Sequence, residues 1–90
     1  MSNMNKLEIV SQLIKVALIP CESSNVLAFG YGPKSKSLWV LFKNSDVLYR
    51  YRDITYDSFI GLLNAESKGG WVNEHLRKAE VKFSRFKVEQ

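Results

Sequence analysis

The chain is short of the residues that build covalent staples and metal centres. Its 90 residues contain one cysteine, Cys21, and one histidine, His75. A lone cysteine closes no internal disulfide and suits a reducing compartment. Two such ligands far apart in sequence do not make the paired Cys/His spacing of a zinc site, so no metal and no cofactor is expected. Long apolar runs are also missing. The longest uninterrupted one is Leu38 to Phe42, against the roughly 18 or more residues needed to span a bilayer, so no membrane association is expected. Charged residues at Lys6, Glu8 and Lys15 and the lack of a small-residue cleavage site speak against a secretory leader, and a cytoplasmic location is expected. Acidic side chains are scarce in the middle of the chain. Between Lys34 and Arg52, the cations Lys34, Lys36, Lys43, Arg50 and Arg52 face Asp46 alone.

Catalytic groupings are equally thin. A serine nucleophile at Ser23 or Ser24 would need an adjacent base. The only imidazole is His75, next to Glu74 in a helical stretch, so the two serines read as turn or cap hydroxyls and His75 as a surface residue. Gly30-x-Gly32 followed by Pro33-Lys34-Ser35 superficially looks like a phosphate loop, but it lacks the Gly-Lys-Ser/Thr ending and the helix that follows it. Cys21 reads as a small core or near-core residue. The expectation is a protein that is not an enzyme.

What is present is a globular composition. Apolar residues make up 46% and charged residues 24%, with a net charge of +4 and a pI near 9.3. These values lie outside the disordered regime, and the length allows one domain with a modest core. Asn5 and Glu8 have capping-box spacing, with Met4 and Ile9 placed as a hydrophobic staple. A helix is expected from there, with Leu7, Val10, Leu13, Ile14 and Ala17 at helical spacing and Pro20 setting its limit. A short extended piece is expected around Val16 to Ile19. Asn25 to Tyr31 reads as a strand, and Ser37–Lys43 with Val47–Arg52 as a hairpin turning at Lys43-Asn44-Ser45-Asp46. In the register that pairs Phe42 with Val47, Val40 faces Tyr49 and Leu38 faces Tyr51 on the core side. Trp39 with Arg50, Leu41 with Leu48 and Ser37 with Arg52 then share a half-wet side. Thr55 caps a helix with Phe59, Ile60, Leu62 and Leu63 as its apolar stripe. Lys68-Gly69-Gly70 is expected to end that helix through a left-handed glycine. Trp71 to Lys78 reads as a second helix and Val81 to Val88 as a last strand of mixed basic and aromatic character.

Ser23-Ser24-Asn25, Phe29-Gly30-Tyr31, Leu38-x-Val40-x-Phe42, Tyr49-Arg50-Tyr51 and Leu62-Leu63-x-Ala65-x-Ser67-x-Gly69, leading to Asn73 and Arg77, together resemble the KTSC domain family, named for the C-terminal extension of some lysyl-tRNA synthetases. The resemblance implies a small bacterial or phage protein with a suggested role in RNA binding. The sequence departs from the family pattern at Asp46, where the hairpin usually has glycine, at Thr55, where proline usually opens the helix, and at Trp71-Val72, where an aromatic pair is usual. The expected architecture is α+β: a small antiparallel sheet with central hairpin 37–52 packed on one or two short helices. Residues 1–20 read as an N-terminal helical extension and 21–90 as the KTSC-like domain.

Two functional expectations follow. The first is binding of RNA or another single-stranded nucleic acid by a basic and aromatic sheet face carrying Trp39, Arg50, Arg52, Lys43 and Lys36, since such surfaces combine phosphate-neutralising cations with rings on which bases stack. The plainer reading of the same face is that Arg50 lies over Trp39 as a cation–π pair. Tyr49 and Tyr51 are turned by the register toward the core and read as packing residues. The second expectation is a protein-binding module, such as a phage-encoded inhibitor or adaptor. It would act through an apolar patch of Leu27, Phe29, Tyr31, Trp39, Leu41 and Leu48, as a monomer or homodimer.

Overall fold

Residues 5–43 and 45–88 are described by a computed structural model. The staple residue Met4 and the hairpin-turn residue Asn44 lie outside the described residues. Helix α1 (Lys6–Ile14) starts where expected, with the Asn5 side chain accepting from the Glu8 N–H at 2.9 Å. It stops at Ile14 because Lys15 takes a left-handed conformation at φ 57°, well before Pro20. The chain then crosses the sheet, and Ile19–Pro20 form a two-residue edge strand β1. Strands β2 (Val26–Gly32), β3 (Ser37–Phe42), β4 (Val47–Tyr51) and β5 (Phe83–Lys87) follow. They make a five-stranded antiparallel meander in the order β1-β2-β3-β4-β5. With its helices the chain is an α+β fold. Among the described residues no helix is long and apolar enough to cross a membrane.

The hairpin register is the expected one, with Leu38 opposite Tyr51, Trp39 opposite Arg50, Val40 opposite Tyr49 and Leu41 opposite Leu48. Leu38, Val40 and Tyr51 accordingly join Val26, Phe29, Phe59, Leu62, Val72 and Leu76 in the larger core, with Phe42 and Tyr49 packed at its edge. Helix α2 (Tyr56–Asn64) supplies Phe59 and Leu62 to this core, and the Thr55 hydroxyl accepts from the Ser58 N–H at its start.

Three expectations change. Gly69 and Gly70 do not end α2. Ala65 leaves that helix in an extended conformation, and the Lys68 ammonium donates to the Leu63 and Ala65 carbonyls at 2.9 and 2.7 Å. Ser67 caps a new helix α3 (Lys68–Val72), which runs on as a π-helical turn over Asn73–Arg77. Gly69 is needed there for close approach, since a Cβ at that position would collide with the Asn25 Oδ1. Second, the half-wet side of the hairpin is largely dry. Leu41 and Leu48 are buried in a second cluster with Val10, Leu18 and Ala28, because α1 and the segment after it cover that face. Third, Phe29 and Tyr31 belong to the opposite face from Trp39. Phe29 is in the larger core and Tyr31 packs against it, so the apolar patch expected from the sequence does not form as one surface.

Candidate functional site

Of the five cations and rings expected to make one binding face, the fold brings two together. Arg50 places its guanidinium carbon 5.3 Å from the Trp39 ring centroid, and its Nε donates to the buried Ser37 hydroxyl at 2.8 Å. Trp39 also meets Phe86 at 5.9 Å between ring centroids. Both Trp39 and Arg50 are half-buried, and the guanidinium lies over the ring in the cation–π arrangement of the plainer reading. Lys36, Lys43 and Arg52 are exposed and dispersed. Lys36 precedes β3 and Lys43 follows it, about 23 Å apart at the usual strand rise, and Arg52 follows β4 at the Lys36 end.

A different set of residues converges on the other face. Strand alternation and the β4–β5 register put Val47, Tyr49 and Tyr51 on one side together with their partners Lys87, Arg85 and Phe83. The rings form a connected array. Tyr49 lies 5.3 Å from Phe42 edge to face, 6.2 Å from Tyr51 in a stacked orientation and 5.3 Å from Phe83. The separation from Tyr51 to Phe83 is 5.6 Å. Opposite this array the π-helical turn brings Leu76 and Arg77, and the following turn brings Glu80 and Val81. Together they enclose an open cleft of about 420 Å³, within the range of small-ligand sites.

The cleft has a distinct chemistry. Phe83 is 50% exposed, so half of its surface stays open to a ligand. Tyr49 is half-buried and Tyr51 buried. Burial pushes the Tyr51 phenol above its usual pKa, the neighbouring Tyr49 adds to that, and Arg77 opposes it, so the hydroxyl is neutral and able to donate near pH 7. Arg77 is exposed at the rim and Arg85 stands beside Tyr49 on the outer strand. Among the described residues neither arginine forms a salt bridge. The turn that carries Glu80 is held by the Glu80 N–H donating to the Arg77 carbonyl at 3.1 Å and the Val81 N–H donating to the Leu76 carbonyl at 3.0 Å.

Sequence reasoning does not find this cleft. It assigns Tyr49 and Tyr51 to packing; Tyr51 is in the core and Tyr49 packs against it, but both also line the cleft. The basic and aromatic mixture of Val81 to Val88 is the available signal, but its meaning depends on which strand it pairs with. Of the remaining candidates, Cys21 packs at the edge of the larger core and its thiol donates to the Val26 carbonyl at 3.5 Å. Burial pushes that thiol upward in pKa, opposed by Lys68 and Lys43. His75 is exposed, with its ring 4.6 Å from that of Trp71. The Ser23 hydroxyl accepts from the Val26 and Asn25 N–H groups and donates to the Asn25 carboxamide, so it makes a turn.

Comparison with known proteins adds to this picture. Residues 22–79 match the family model of the KTSC domain. No curated protein matches the chain. The crystal structure of a KTSC domain protein from Yersinia pestis is similar in fold, with a TM-score of 0.69 at 24% identity, covering 82% of this chain and 99% of that one.

Proposed function

The chain belongs to the KTSC domain family, and from that premise we propose that it is a non-enzymatic binding module for single-stranded RNA, with bases stacking in the cleft between β4–β5 and the π-helical turn. The observation that carries the proposal is the ring array of Phe42, Tyr49, Tyr51 and Phe83 with Arg77 at its rim. Unpaired bases need aromatic faces and their phosphates need cations, and stacking supplies roughly 1 to 3 kcal/mol per base. Arg77 at the rim and Arg85 opposite Tyr49 supply cations beside the rings. The net charge of +4 favours the encounter with a polyanion.

Fluorescence anisotropy with a labelled single-stranded RNA over a salt series tests this. Tyr49→Leu keeps apolar volume at the core edge and removes the ring; it is expected to weaken binding about 5- to 150-fold with the salt slope unchanged. The double variant Arg77→Ala/Arg85→Ala is expected to flatten the slope of log affinity against log salt by roughly 0.7 for each phosphate it no longer neutralises. Trp39→Ala should change affinity little. Absence of salt-sensitive binding by the wild type at about 100 μM, the loose end of non-specific affinity, sinks the proposal.

A second reading, of a protein-binding module, has one specific observation in its favour. An apolar groove of about 430 Å³ runs between α1 and β5, lined by Val10, Leu13, Ile14, Trp39 and Phe86. Leu13 is 74% and Phe86 43% exposed at its borders. Binding to a protein through this groove would be insensitive to salt and abolished by Leu13→Asp.

A further inference from the structure

We infer that the cleft prefers guanine among the four bases and that Glu80 is the residue that selects it. The inference rests on the nucleic-acid reading of the cleft given above. A carboxylate beside a polyanion site works against general affinity, since it repels phosphate, so its presence there calls for a compensating role. Glu80 lines the cleft with Arg77, across from the tyrosine and phenylalanine rings. It forms no salt bridge among the described residues. Its backbone also sits in the left-handed region at φ 55°, a conformation that glycine adopts freely and a glutamate adopts under strain. Among the described residues the non-glycine positions with positive φ are Lys15, Lys36, Asp53 and Glu80, and of these Glu80 is the one that lines this cleft. A strained backbone persists at a ligand site when the side chain it presents has work there.

The chemistry of that side chain narrows the ligand. An ionised carboxylate has two acceptor oxygens and no donor. The Tyr49 and Phe83 rings are tilted by 46°, so a base stacks on one of them, the more exposed Phe83, and its edge is then open to the wall of the cleft that carries Glu80. Guanine is the base whose Watson–Crick edge offers two adjacent donors, N1–H and the 2-amino group, which match a carboxylate in the bidentate way. Adenine and cytosine set a ring-nitrogen acceptor beside their amino group, and uracil flanks its single N–H with two carbonyls, so each leaves one carboxylate oxygen facing an acceptor. Discrimination by one well-placed bidentate pair of this kind is worth about 1 to 3 kcal/mol, or about 5- to 150-fold.

The test uses the full chain and four uridine heptamers that differ only in their central nucleotide. The wild type is expected to bind the guanosine heptamer about tenfold more tightly than the other three. Glu80→Gly should abolish that preference, hold or raise the affinity for the all-uridine heptamer, and raise the thermal midpoint because the left-handed strain is relieved. Glu80→Gln should also lose the preference, since an amide pairs one acceptor with one donor. Equal binding of all four heptamers by the wild type, or a guanine preference that survives Glu80→Gly, overturns the inference and leaves the nucleic-acid reading standing. Failure of every heptamer to bind overturns both.

Discussion

Gly30→Ala should loosen the N-terminal segment from the sheet and lower stability by about 1 to 3 kcal/mol, the usual cost of forcing extra volume into a packed site. Gly30 lies in β2 opposite Trp39, and a Cβ there would stand 2.5 Å from the Ala17 carbonyl oxygen and 3.0 Å from a Val16 methyl. The obstacle is backbone and cannot rotate away. The segment from Val16 to Leu18 would have to move outward, opening the pairing of Ile19 with Phe29 and Pro20 with Ala28. The cluster of Val10, Leu18, Ala28, Leu41 and Leu48 would then be partly uncovered. Urea melts should therefore show a lower midpoint together with a smaller m-value, because less surface remains to be exposed on unfolding. Gly32→Ala is the control, since its nearest neighbour would be a Val16 methyl at 3.3 Å, a side chain able to give way. A Gly30→Ala melt matching the wild type in both midpoint and slope would contradict the close packing of this segment.

Leu62→Ala should be more damaging still, at roughly 2 to 5 kcal/mol. Leu62 is fully buried on the inner face of α2, where truncation leaves a cavity bounded by sheet and helix. Phe59→Ala belongs in the same range, as its ring stacks on Tyr31 at 4.9 Å and meets Phe29 edge to face at 6.1 Å. Domains of this size are stable by only about 5 to 13 kcal/mol, so either variant populates the unfolded state substantially. His75→Ala and Cys21→Ser should shift the denaturant midpoint little by comparison. Finding His75→Ala the most destabilising of the four would refute its placement as an exposed residue beside Trp71.

The legible parts of the fold are those governed by local rules. Asn5 and Thr55 cap their helices as their side chains and spacing indicate. The hairpin register follows from alternation, because a slip of one residue would carry Tyr51, Leu38 and Val40 out of the core. The glycine pair after Lys68 escapes a local reading because glycine serves equally in a left-handed cap and at a point of close approach. Only the position of Asn25 in space distinguishes the two. Gly30 is open to the same confusion: its significance is the chain that passes over it, which no local spacing reveals.

The candidate site divides along the same line. Residue types and spacing are enough to identify a basic chain with aromatic strands, an α+β architecture, family membership and the pairing of Trp39 with Arg50. They do not place the candidate surface, because the side of the sheet that stays open depends on long-range packing. Helix α1 covers the face that carries Leu41 and Leu48. On the other face, β5 extends the sheet past the reach of α2, and the π-helical turn stops short of closing over Tyr49 and Phe83. Sequence alone determined which rings and charges this protein has to offer. Tertiary structure decided which of them are left facing solvent, since exposure is set by what packs on each face and not by the order of residues along a strand.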